Sequence, residues 1–244
     1  MSGSPEGFES QVAVVTGAAR GIGEAIARRL AAMGMQVVLV ARDKARLESV
    51  RAAIEAAGGK AVAFPSDLRD EKAVAALGSH LREKHGRCDV LVNNAGIGKT
   101  GKPLHETSIE EWDDLMSTNL RGPFLTIKAV APLMIERQSG HIINISSLAG
   151  KNPLPNGAAY SASKWGLNGL TYSVAEELRQ FNVRVSVVAP GSVNTGFGGR
   201  GDGFKEESWK VKPDDVASVV EMLVKQAPQS FVSEVLLRPT KKGS

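Results

Sequence analysis

Cysteine, histidine and long apolar runs are all scarce in this chain, and each scarcity excludes a class of protein. Cys88 is the single cysteine in 244 residues, so there is no intrachain disulfide framework, and a reducing compartment suits the chain. The four histidines, His80, His85, His105 and His141, are scattered and with one thiol offer no metal-ligand spacing, so no metal is expected in the chemistry. No apolar run reaches the ~18 residues of a membrane helix, and residues 1–7 have neither a basic nor an apolar stretch. A cytoplasmic protein without a membrane partner is expected. Blocks of like charge are missing too: 30 Lys and Arg are interleaved with 26 Asp and Glu, a net charge of +4. No recognition motif accompanies them, so nucleic acid is not an expected partner. A phosphorylated ligand or an acidic protein accounts for the excess.

What is present is alternation. Val12-Ala13-Val14-Val15 is a short apolar run that stops at Thr16-Gly17, and a helical pattern follows, with Ile22, Ala25, Ile26, Ala27 and Leu30 on one face. The unit repeats. Strands are expected over 37–40, 61–64, 90–92, 141–145, 183–188 and 235–237. Helices are expected over 43–57 with Asp43 as N-cap, over 68–84, and over 108–137 with a break near Gly122-Pro123. Two more are expected over 160–181 and after Pro213. Strands apolar throughout are buried on both faces, and their alternation with helices forces right-handed crossovers. The fold class is therefore α/β: a Rossmann-like, doubly wound parallel sheet of about seven strands with helices on both faces. One domain spans 1–244, with a polar leader over 1–9 and a Gly-rich substrate lid loop over 191–212.

Between the first strand and first helix, Gly17, Gly21 and Gly23 allow a tight turn and a close approach of pyrophosphate to the backbone, and they aim a helix N-terminus at that anion. Arg20 and Ile22 belong to the same loop. The end of the second strand discriminates between the two nicotinamide dinucleotides. An acid there would bond the ribose 2′-hydroxyl, whereas a guanidinium would pair with a 2′-phosphate. The strand ends Val40-Ala41-Arg42, so Arg42 and Arg20 together favour NADP(H), and Asp43 is the feature that speaks for NAD.

Tyr160 and Lys164 are four residues apart in a helical segment, hence on one face. A free tyrosine titrates at about 10, and an adjacent ammonium together with a cationic nicotinamide ring favours the phenolate, which brings proton transfer toward neutrality. Upstream, Ser146 and Ser147 close the fifth strand, at the sheet edge where ligands bind in open α/β folds. Either hydroxyl suits a developing alkoxide. Asn119 stands in a helical run where an amide has low propensity and usually bonds backbone.

The Gly-x3-Gly-x-Gly spacing, Asn93-Asn94-Ala95-Gly96 after the fourth strand and Tyr160-x3-Lys164 together resemble the short-chain dehydrogenase/reductase family, over nearly the whole chain. The resemblance implies an NADP(H)-dependent oxidoreductase that moves a hydride between nicotinamide and a carbonyl or secondary alcohol. Tyr160 would be proton donor or acceptor, Lys164 would lower its pKa and hold the ribose, Ser147 would be the serine that orients the carbonyl, and Asn119 would hold a relay water. It further implies cofactor contacts from Asp67 and Leu68 past the third strand, from Asn94, Ala95 and Gly96, and from Pro190, Gly191, Val193 and Thr195 past the sixth. Among its relatives the chain looks most like 3-oxoacyl-acyl-carrier-protein reductases, which implies a small-molecule substrate carried on acyl carrier protein, and a homodimer or homotetramer. The alternative is a non-catalytic NADP-binding sensor or scaffold on the same fold. His141 reads as structural, His105 as a weak substrate candidate, and Trp112, Trp165 and Trp209 as packing residues. Phe197, Phe204 and Trp209 are candidates for an apolar lid face.

Overall fold

Five consecutive buried residues in the first strand show why the sheet is central: Val12–Thr16 (β1) has no exposed face. The computed structural model describes residues 7–197 and 207–241. Within them, β1 is followed by α1 (Gly21–Ala32), β2 (Gln36–Ala41), α2 (Lys44–Ala56), β3 (Lys60–Pro65), α3 (Glu71–Lys84) and β4 (Val90–Asn93). Then come α4 (Ile109–Met116), α5 (Gly122–Arg137), β5 (Gly140–Ile145), α6 (Ala158–Leu178), β6 (Val183–Pro190), α7 (Pro213–Val224) and β7 (Glu234–Leu237). The seven strands form one sheet in the order β3-β2-β1-β4-β5-β6-β7. All its pairings are parallel. The pleat of β1 divides the core. Ala13 and Val15 pack with α1, α2 and α7, while Val12 and Val14 pack with α3, α5 and α6. The chain leaves β1 toward β2 on one side and returns at β4 on the other, so the crevice at their C-terminal ends is the topological switch point.

Asp43 caps α2 as expected, accepting the Arg46 amide N–H at 3.0 Å. Three expectations need correction. Helix α3 begins at Glu71 rather than at 68, because Asp67 accepts the Arg69 amide N–H and Asp70 takes the cap position, folding 67–70 into a turn. The break in the long helix precedes Gly122: residues Ser117–Arg121 form a π-turn, and Pro123 then sits in the first turn of α5. Pro123 has no N–H to offer the Asn119 carbonyl four residues back, so the ordinary helical ladder fails at that point. Helix α6 begins two residues before Tyr160, which puts Tyr160 in its first turn.

The lid loop is described at its two ends only. Residues 1–6 of the leader and residues 198–206, with the glycines of that stretch and Phe204, lie outside the described residues. The two described ends are stitched together. Val193 bridges Val211, and the Asn194 side chain both donates to the Glu207 carbonyl at 2.8 Å and accepts the Glu207 amide N–H at 3.1 Å.

Beneath the crevice a buried amide network joins two strands to two helices. Asn93 on β4 donates to the Asn144 side chain on β5 at 2.9 Å and accepts from Thr126 on α5 at 2.6 Å. Asn144 in turn donates to Thr171 on α6 at 2.8 Å. His141 is structural as well: its ring bonds the Ser186 hydroxyl at 2.8 Å, and burial lowers its pKa to about 3. Replacing Asn144 with leucine strands the Asn93 amide in a dry environment, so Asn144→Leu is expected to lower unfolding free energy by about 2–3 kcal/mol in urea titration. An unchanged midpoint would contradict the network's role.

Candidate active site

At the switch point the turns after β1 and β4 are bonded to each other. The Thr16 hydroxyl accepts the amide N–H groups of Asn94 and Ala95 at 2.9 and 3.0 Å, and the Asn94 side chain donates back to the Thr16 carbonyl at 3.0 Å. Helix α1 starts directly against this knot. A Cβ at Gly23 would lie 2.2 Å from the Gly17 carbonyl oxygen, so only glycine lets the helix approach. Gly23 is buried and does not face the cleft; its contribution is packing. Above the knot runs a cleft of about 1200 Å³. It is lined by Gly17, Arg20, Gly21, Ile22, Arg42, Asp67, Leu68, Asn94, Ala95, Gly96, Ser147, Tyr160, Lys164, Pro190, Gly191, Val193 and Thr195, all of them expected from sequence.

One end of the cleft is basic. Arg20, Arg42 and Arg46 line it, with Asp67 and Arg69 beside them. Asp43, the feature favouring NAD, is engaged elsewhere: its carboxylate caps α2 and pairs with Arg46 at 3.4 Å. The Asp67 carboxylate is gripped by the Arg69 guanidinium at 2.7 Å, which, with a further contribution from Arg42, holds its pKa below the usual range. Ser66, next to Asp67, is buried against this end with a hydroxyl that has no partner.

The other end holds Tyr160, Lys164 and Ser147. Lys164 is 4% exposed, and its ammonium donates to the Ile145 carbonyl at 3.0 Å. Burial lowers its pKa to about 8. The Ser147 hydroxyl accepts the Ala149 amide N–H, and it lies close enough to the Tyr160 hydroxyl to favour the phenolate. Ser146 instead points at the backbone of α6, its hydroxyl 3.5 Å from the Lys164 carbonyl, so Ser147 is the serine placed with the tyrosine.

Two expectations change here. In the protein by itself Lys164 does not lower the Tyr160 pKa: burial raises it, the nearby Ser147 hydroxyl opposes the rise, and the Lys164 nitrogen stands 6.0 Å from the ring centre. The phenol, protonated at neutral pH as a free tyrosine is, is favoured further in that form by burial. Asn119 does not reach the cleft. It is fully buried, its amide donating to the Ile97 carbonyl and the Ser163 hydroxyl and its oxygen accepting the Ile97 N–H at 2.8 Å. Both amide hydrogens are thereby engaged, and the side-chain oxygen keeps one lone pair for a further donor.

Several lining residues escaped the sequence reading. Arg46 and Leu154 were not singled out, and Glu207 and Lys210 lie within the expected lid loop without having been named individually. His105 is an exposed residue of a short 3-10 turn and does not line the cleft. Trp165 is 51% exposed on α6 and Trp112 is 38% exposed on α4, so neither is a core packing residue. Phe197 and Trp209 do line the cleft.

Comparison with known proteins agrees with this geometry. Residues 11–201 match the sequence model of the short chain dehydrogenase family. A metagenomic short-chain oxidoreductase, solved in complex with NADP, is 54% identical with a TM-score of 0.85, covering 97% of this chain and 100% of that one. The 3-oxoacyl-[acyl-carrier-protein] reductase of Synechocystis is 45% identical over 187 residues, 76% of this chain and 75% of its own. The 2,3-dihydro-2,3-dihydroxybenzoate dehydrogenase of Bacillus subtilis is 34% identical over 239 residues, 98% of this chain and 87% of its own. A matching family across most of the chain, on a switch-point cleft with Tyr160, Lys164 and Ser147 at one end, means that this chain belongs to the short-chain dehydrogenase family of oxidoreductases.

Proposed function

We propose that the protein is an NADP(H)-dependent carbonyl reductase or alcohol dehydrogenase in which Tyr160 exchanges the proton. The observation that carries this reading is the polarity of a single cleft: four arginines at one end, and buried Tyr160 and Lys164 with half-buried Ser147 at the other. The residues fit the cofactor on their own terms. The Gly17–Gly23 turn leaves backbone open to a pyrophosphate, Arg20 and Arg42 suit a 2′-phosphate, and Ser66 holds an unpartnered hydroxyl near the adenosine end. The NADP found with the metagenomic relative supports the same choice.

When bound, the nicotinamide cofactor supplies a hydride to the carbonyl carbon. The carbonyl oxygen then gains charge, and Tyr160, favoured in its protonated form by burial, donates its phenolic proton to it. Ser147 lies beside the same oxygen position through its closeness to Tyr160 and offers a second donor. Lys164 keeps a positive charge under the site, tied to the Ile145 carbonyl. The same groups run in reverse for alcohol oxidation, with Tyr160 as acceptor. Ser147, Tyr160 and Lys164 are thus the proposed catalytic set, with Asn119 a positioning residue bonded to Ile97 and to Ser163 beside the lysine.

The finer reading, reduction of a 3-oxoacyl thioester on acyl carrier protein, is supported by the likeness to the Synechocystis enzyme. Turnover of 3-oxobutanoyl thioester with NADPH supports it; failure alongside turnover of simple ketones removes it. Self-association into a dimer or tetramer is supported by the exposed apolar side chains Phe124 on α5 and Trp165 on α6.

Tyr160→Phe is expected to retain NADPH binding and lose turnover by about 10²–10⁴-fold, measured by NADPH absorbance and fluorescence. Near-normal turnover would sink the mechanism. Replacing both Arg20 and Arg42 with alanine is expected to raise the KM for NADPH by about 10–100-fold while changing that for NADH little. A wild-type preference for NADH would overturn the cofactor assignment.

A further inference from the structure

Beside Tyr160 the cleft is walled by Ile97, Leu154 and Phe197. The Phe197 ring stands 6.1 Å from the Tyr160 ring at a 59° tilt, a separation at which aromatic rings attract edge to face. It reaches that place because residue 98 is glycine: a Cβ there would lie 2.4 Å from the edge of the Phe197 ring. Leu154 leans on Gly157, one turn before Tyr160, and Ile97 packs into the small apolar cluster around Tyr160. Phe197 is nonetheless 43% exposed, an apolar face with little protein covering it.

Among the described residues, every cation near this wall already has a partner. Lys99 pairs with Asp114 at 3.1 Å, Lys151 with Glu234 at 2.8 Å, and Lys210 with Glu207. Lys164 gives its ammonium to the Ile145 carbonyl. Among the described residues, a substrate carboxylate would have to displace one of these partners to gain a counter-charge, which is costly. An apolar ring would cover Phe197, Leu154 and Ile97 and gain from doing so.

We infer that the substrate is an uncharged ketone, or the matching secondary alcohol, with an aromatic or bulky apolar group on the carbonyl carbon, and that Phe197 selects it. This rests on the oxidoreductase reading above and adds the chemical class that the cleft accepts. Phe197 acts through substrate contact alone, so its removal affects the choice among ketones more than the proton transfer.

Three ketones test this with NADPH as reductant: acetophenone, benzoylformate, which replaces the methyl group by a carboxylate, and butan-2-one, which lacks the ring. The kcat/KM for acetophenone is expected to exceed each of the others by about tenfold or more. Phe197→Ala is expected to lower the acetophenone to butan-2-one ratio by about tenfold, through KM for acetophenone, and Phe197→Tyr to restore most of it. Benzoylformate preferred over acetophenone, or a ratio unmoved by Phe197→Ala, overturns the inference and leaves the oxidoreductase reading standing. Turnover of none of the three by protein that still binds NADPH overturns both.

Discussion

One buried hydrogen bond registers the catalytic end of the cleft: the Lys164 ammonium donating to the Ile145 carbonyl at 3.0 Å. It ties helix α6 to the C-terminal end of β5. Tyr160 lies one helical turn before the lysine, and Ser147 two residues beyond the carbonyl, so the same bond sets the serine and tyrosine against each other. A charge 4% exposed is costly to hold, and the cost appears as a pKa lowered to about 8. The amide network below, Asn93 to Asn144 to Thr171, keeps β4, β5 and α6 from shifting and preserves the alignment.

The opposite end is built by different physics. There the groups are surface arginines on short turns, positioned by the Asp43 cap and by the Thr16-Asn94 knot that closes the switch point. Arg46 and Arg69 are ion-paired at the rim with Asp43 and Asp67, and guanidinium groups suit a phosphate. A fixed, dry end and an adaptable, charged end are what a cofactor with an anionic tail and a reactive ring requires. The basic balance of the composition is thereby partly explained, because Arg20, Arg42 and Lys164 all face one cleft.

Much of this was legible in the residues. Apolar runs such as Val12 to Val15 and Val37 to Val40 announced buried strands, and Tyr160-x3-Lys164 announced a shared helix face. Misplaced elements failed for local reasons. The break was expected near Gly122-Pro123, and the missing N–H of Pro123 places it in the turn just before, where the π-turn lies. The α3 start moved because Asp67 and Asp70 compete for the cap. Burial was the larger blind spot. Nothing in the spacing of Tyr160 and Lys164 shows that both lose their water, which in the protein by itself raises the tyrosine pKa. Likewise the commitment of the Asn119 amide to Ile97 and Ser163 depends on contacts 22 and 44 residues away. Leu154 and Lys210 reach the cleft only through loop closure, which no periodicity records.

The central claim is that a protonated Tyr160 delivers its proton above a buried Lys164 ammonium. The pH dependence of kcat/KM for carbonyl reduction tests it most directly. With Lys164 near about 8, the ammonium is present below that pH and lost above it. The rate constant should be level through neutrality and fall by about tenfold per pH unit beyond roughly 8, and Lys164→Arg, which stays charged, should move any remaining falling limb upward. A profile level to pH 10 in the unaltered protein, or a falling limb unmoved in Lys164→Arg, would contradict the account.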